Sequence, residues 1–174
     1  TSCSNAGATG MNSTPYNVLV GALGATGVKS SYSSAGSAVW VSAPGGEYGS
    51  SYPAMMTTDD GGCSRGYVHD TTSSSNGFNN SSGGNPHSLN ADCNYTATFN
   101  GTSSAAPVTS GVVALMLDAN PALTWRDVKH ILATTSTQVD ASKANLTHTI
   151  SGVAYVTEPA WLTNDAGHKF HNWY

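Results

Sequence analysis

A chain of 174 residues, 39% hydrophobic and only 9% charged, is long enough to bury a core and fits one domain, or a large piece of one. Its formal net charge of −4 and its six scattered Lys and Arg residues exclude the basic patch of a nucleic-acid binder, and no apolar run is long enough to span a bilayer. Three cysteines among abundant Ser, Thr, Asn and Gly suit an extracellular protein. Cys63 and Cys93 bracket a polar loop and can pair within the chain, in which case Cys3 needs a partner outside it; three free thiols are the alternative. Nothing at Thr1 reads as a signal peptide, and the start has the look of an internal cut.

Taken in chain order, the Gly- and Asn-rich opening through Pro15 reads as loop, and Tyr16 to Leu23 as a buried strand. A second strand is predicted over Ala38 to Ala43, stopped by Pro44-Gly45-Gly46, with Tyr32 to Ser37 as a connection between the two. From about Gly61 to Phe99 the periodicity is lost, which predicts a long surface excursion of the functional or mobile kind. Ala105 to Leu117 is a nearly unbroken run of small and apolar residues and predicts a helix buried on every side, with Pro107 tolerated in its first turn. A second helix follows Thr124, which can cap it with Asp127 three residues on; Trp125, Val128, Ile131 and Leu132 form its apolar face. A hairpin around Thr149 to Val156 is the last predicted element.

Chemistry concentrates in Phe99-Asn100-Gly101-Thr102-Ser103-Ser104-Ala105-Ala106-Pro107. A serine hydroxyl becomes a useful nucleophile only beside a base, and the oxyanion it creates needs preorganised N–H donors. At the first turn of a buried helix a serine projects from a rigid element, next to unpaired amides and the positive end of the dipole. Gly101 lets the chain turn sharply into that helix. On residue types alone, an ordinary Ser/Thr N-cap explains the same pattern.

The stretch Gly101 to Pro107 resembles the serine motif of the subtilases. Val20-Gly21-Ala22, Tyr32 to Ser37, Val41 to Gly46 and Thr57-Thr58-Asp59 precede it in that family's order, and Asn120 to Lys129 follows in a form similar to the kexin/furin branch. The resemblance spans nearly the whole chain. It implies an α/β fold, part of a parallel sheet with a buried central helix starting at the nucleophile Ser103, and a serine endopeptidase acting on polypeptides through an acyl-enzyme. Gly101, Thr102 and Pro107 support the motif, and the Ser103 backbone N–H is an oxyanion donor. The triad order Asp, His, Ser implies that the aspartate, the histidine and the oxyanion asparagine lie before Thr1. On that reading residues 1–174 are the C-terminal part of one catalytic domain, inactive alone, and the missing N-terminal half is its partner. The family's Gly-aromatic-Gly stretch falls just beyond the point matching His171 to Tyr174, so both ends look trimmed.

The departures from that pattern carry their own expectations. After Cys3 stand Ser4, Asn5, Ala6 and Gly7, where the kexin branch places an acid of its basic-specific S1 pocket. Asn5 is a poor match for the oxyanion asparagine and is not assigned. Tyr32-Ser33-Ser34-Ala35-Gly36 lacks a family calcium ligand and a family cysteine, so calcium is expected for the family without a site in this chain. The segment 61–99 is longer than its family counterpart and reads as an inserted surface loop that shapes the substrate cleft or contacts a partner.

Five other features compete for attention. His69-Asp70 suggests a self-contained triad with Ser103, in the wrong chain order for the family. His168 and His171 have a metal-compatible spacing without a third ligand, and Asp59-Asp60 lacks the alternating carboxylates of a calcium loop, so a turn is expected there. Trp40, Trp125, Trp161 and Trp173 read as packing residues, and the sequons as chance, although a glycan on Asn100 would obstruct Ser103. The non-enzymatic alternative is a secreted binding module derived from a protease, using the 61–99 loop.

Overall fold

The computed structural model describes residues 5–174, so Cys3 and Ser4 lie outside the described residues. Strands β1 (Leu19–Leu23) and β2 (Val39–Pro44) form a parallel pair in which Val20 lies opposite Val41 and Ala22 opposite Ala43. Their near-continuous apolar sequences suit strands covered on both faces. Helix α1 (Thr102–Ala119) packs on this pair, and helix α2 (Trp125–Thr135) packs against β2.

Two clusters join these elements. Ala22, Ala43 and Ala105 form the first, with Val20 and Tyr32 against it; side chains this small let the start of α1 come close to the ends of both strands. Val41, Val128 and Leu132 form the second, joined by Val113 and Met116 of α1. Along α1 the inward stripe is Ala105, Thr109, Val113 and Met116, at helical spacing. The capping box predicted at Thr124 is formed: Asp127 Oδ2 accepts the Thr124 amide at 2.8 Å and Thr124 Oγ1 accepts the Asp127 amide at 3.4 Å.

Three expectations need correction. Helix α1 is not buried on every side: Val112 is 45% exposed and Leu115 72% exposed. Only one face meets the two-stranded sheet, and among the described residues nothing covers the opposite face. The helix also begins at Thr102, three residues before Ala105, so Pro107 sits in its second turn rather than its first. Finally, the irregular segment ends before Phe99, because β3 (Met55–Thr58) and β4 (Tyr95–Phe99) pair antiparallel at its two ends. The predicted hairpin is present as β5 (Leu146–Ile150) and β6 (Val153–Glu158), and a short pair, β7 (Leu162–Thr163) and β8 (Lys169–Phe170), follows.

Candidate active site

Gly101 is the pivot of the segment singled out in the sequence. Its φ of 105° and ψ of 170° suit glycine and strain any other residue. That turn aims its carbonyl along α1, where it accepts the amides of Ser104 at 2.9 Å and Ala105 at 3.4 Å. Thr102 and Ser103 therefore occupy the first two helical positions, and their amides have no acceptor among the described residues. Ser103 is exposed and its hydroxyl is likewise unengaged among the described residues, whereas Ser104 beside it is buried. Pro107 lacks the amide that would otherwise close on the Ser103 carbonyl. The predicted helix start at Ser103 is thus displaced by one residue, with Ser103 still in the first turn beside free N–H groups.

Tyr32 ties this turn to the sheet. Its phenolic oxygen lies 2.7 Å from the carbonyls of both Gly45 and Gly46, which share its single hydrogen, and it accepts the Gly101 amide at 2.9 Å. The same amide lies 3.1 Å from the Gly45 carbonyl. A Cβ on Gly45 would stand 3.0 Å from the Gly101 oxygen and 3.1 Å from the Tyr32 hydroxyl, so the approach requires glycine. From sequence, Tyr32 reads only as part of a connection; a tyrosine among small polar residues, with a body able to bury and a tip that needs partners, was the available signal. Lys29 secures the same connection by donating to the carbonyls of Ser30 at 3.2 Å and Ser33 at 2.7 Å. Burial pulls its ammonium below the usual lysine range, against the attraction of Glu158 and Glu47.

The segment between β3 and β4 is anchored at three points. Cys63 and Cys93 form a disulfide. Asp59 accepts the amides of Asp60, Tyr67 and Val68 at 2.7–2.9 Å. Burial raises the Asp59 carboxyl, but these amides outweigh it and hold the group below the usual carboxylate range. Asn79, only 1% exposed, donates to the hydroxyls of Thr96 and Thr98 at 3.0 and 2.9 Å and accepts the Ala97 amide at 2.8 Å. It clasps the loop to the strand that runs into Gly101.

The competing candidates are held elsewhere. The His69 ring lies 3.0 Å from the Thr71 hydroxyl, its carbonyl accepts the Ser81 hydroxyl, and neither His69 nor Asp70 hydrogen-bonds Ser103 among the described residues. His168 meets the ring of His130, while His171 is buried among Trp161, Trp173 and Tyr174. Asn5 turns on itself, its carboxamide oxygen accepting the Gly7 amide at 2.8 Å. The Asp59 oxygens already hold three amides, and no group of three His, Cys, Asp or Glu converges among the described residues.

Residues 4–154 match the subtilase family. The Aeromonas extracellular serine protease of Aeromonas sobria is 48% identical over 130 residues, covering 75% of this chain and 20% of that protein. The crystal structure of the serine protease of Aeromonas sobria superposes with a TM-score of 0.86 at 41% identity, covering 99% of this chain and 29% of that one. A kexin of Candida albicans is 34% identical over 94 residues, 54% of this chain and 10% of the kexin. The chain therefore spans about a fifth of the length of the Aeromonas relative. With a family match that contains β1, β2, the Gly101 turn and α1, this chain belongs to the subtilase family.

Proposed function

We propose that the whole protein is a secreted serine endopeptidase of the kexin-like kind and that Ser103 is its nucleophile. The observation that carries the reading is the exposed Ser103 hydroxyl in the first turn of α1, beside the unengaged amides of Thr102 and Ser103. A peptide carbonyl placed there meets a nucleophile on a rigid element and an N–H donor at the positive end of an 18-residue helix. The Ser103 amide serves as an oxyanion donor, with Gly101 and Thr102 shaping the turn and Pro107 following it.

Attack by Oγ transfers its proton to a histidine in the N-terminal half of the catalytic domain, the partner that also supplies the aspartate and the asparagine donor. The tetrahedral intermediate expels the amine, which takes the proton back from that histidine, and water then hydrolyses the acyl-serine. Secretion is supported by the Cys63–Cys93 disulfide and by the extracellular name of the Aeromonas relative. Among the described residues no helix is long and apolar enough to cross a membrane.

The test uses the full-length protein and a serine-directed phosphonate. Stoichiometric labelling of Ser103, and loss of turnover by about 10⁶-fold in Ser103→Ala, the scale for removing a triad nucleophile, are the expected results. A folded Ser103→Ala protein retaining more than a small fraction of the activity sinks the assignment. Absence of labelling favours the non-catalytic binding module.

A further inference from the structure

A cleft of about 500 Å³ is lined by Tyr48, Tyr67, His69, Ser73, Thr98 and Asn100 among others. Asn100 immediately precedes the glycine that caps α1, so one lining residue stands three positions before Ser103 in the chain.

Its walls are held in place. Thr98 receives the Asn79 amide hydrogen at 2.9 Å, the Tyr67 backbone is fixed by Asp59 at 2.9 Å, and the His69 backbone amide donates to Thr72 at 2.8 Å. A site whose supports are locked before a ligand arrives loses little ordering entropy on binding. The lining chemistry is one-sided: hydroxyls, a carboxamide, two phenol rings and one imidazole, without a carboxylate, a lysine or an arginine. The threonine hydroxyls are engaged within the protein, whereas the Tyr48, Tyr67 and Ser73 hydroxyls and the Asn100 carboxamide have no partner among the described residues and can both donate and accept, as a carboxamide ligand requires; a Lys or Arg side chain entering the cleft finds no charge partner.

We propose that this cleft is a substrate subsite, built by the loop, for an uncharged hydrogen-bonding side chain of the Asn or Gln type at one position flanking the scissile bond. The proposal rests on the peptidase reading, and its test separates the two. Full-length protein carrying Ser103→Ala is titrated with fluorescent peptides from a positional set in which each position is in turn Asn, Gln, Leu or Lys. One position is expected to bind Asn and Gln about five- to tenfold more tightly than Leu, the scale of one net hydrogen bond, and Lys least well. Tyr67→Leu and Ser73→Ala, both at exposed positions, should each reduce that preference. No position with such a preference, or a preference that survives both substitutions in proteins with the parent's circular dichroism, overturns the subsite. Selective binding by a protein whose Ser103 form cleaves nothing supports the cleft and discards the peptidase reading.

Discussion

The Tyr32 hydroxyl accepts the Gly101 amide at 2.9 Å while donating to the carbonyls that follow β2, so one side chain links the end of the sheet to the cap of α1. Gly101 sets the direction of the next two amides, and Tyr32 is therefore a positioning residue for the Ser103 N–H. In the full-length protein, Tyr32→Phe removes the link and keeps the ring. Turnover is expected to fall about tenfold or more with little change in KM, below the loss for deleting a whole oxyanion donor. Affinity for a peptide boronate, whose adduct resembles the tetrahedral intermediate, should fall in parallel. A proportionate rise in KM with unchanged turnover would show that Tyr32 acts only in substrate binding.

How far this knot was legible from sequence depends on what each residue needs. Ser103 and Gly101 stand out because a short local pattern carries them: Gly101 to Pro107 resembles the subtilase serine motif, although residue types alone fit an ordinary N-cap. Thr124 and Asp127 were legible for the same reason, since capping is local chemistry. Tyr32 was not, because its partners are Gly45, Gly46 and Gly101, distant in sequence and contributing only backbone atoms. The start of α1 was misplaced since Thr102, Ser103 and Ser104 favour caps as readily as first turns. The apolar pattern of α1 does not say which segments cover it, and within this chain one face is open. Strands β3 and β4 were missed because Met55–Thr58 is short and Tyr95–Phe99 resembles the Ser/Thr/Asn-rich loop before it.

The disulfide should matter for the loop rather than for α1. Cys63 and Cys93 are separated by 30 residues, and closing a loop of that size restricts the unfolded chain by about 3–4 kcal/mol. With Cys63→Ser and Cys93→Ser together, hydrogen exchange is expected to accelerate across residues 64–92. Amides of α1 that face β1 and β2 should stay protected. Equal acceleration in both regions would show that the loop and the helix unfold as one unit.

Asp59 makes the loop sensitive to acid. Its carboxyl is held below the unfolded value, so the stabilisation it provides is complete above about pH 4. It is lost as the pH falls through the depressed folded value. The amides of Tyr67 and Val68 report it directly, since both donate to this carboxylate. Their protection, corrected for intrinsic exchange, should decline on acidification in the parent and be lower at neutral pH in Asp59→Asn. Protection independent of pH in the parent would assign the anchoring to the disulfide and Asn79 alone.

Specificity is where family membership and the residues of this chain point apart. Kexin-like enzymes read basic side chains through carboxylates, because a desolvated Lys or Arg needs an opposite charge. After Cys3 this chain places no acid. Asn5 spends its carboxamide oxygen on the Gly7 amide at 2.8 Å, and Ala6 and Gly7 have no polar side-chain group to offer. Asp59 is occupied by three backbone amides, and Asp60 lies 3.4 Å from Arg65. Truncating one partner of a buried charge pair costs about 2–5 kcal/mol, enough to turn strict dibasic cleavage into a broad bias. A peptide-library profile of the full-length enzyme should therefore accept uncharged residues at P1 or P2 alongside Lys and Arg. A strict requirement for Lys-Arg or Arg-Arg would show that the N-terminal half supplies the missing acid, and that the Ser4 to Gly7 segment does not set the S1 charge.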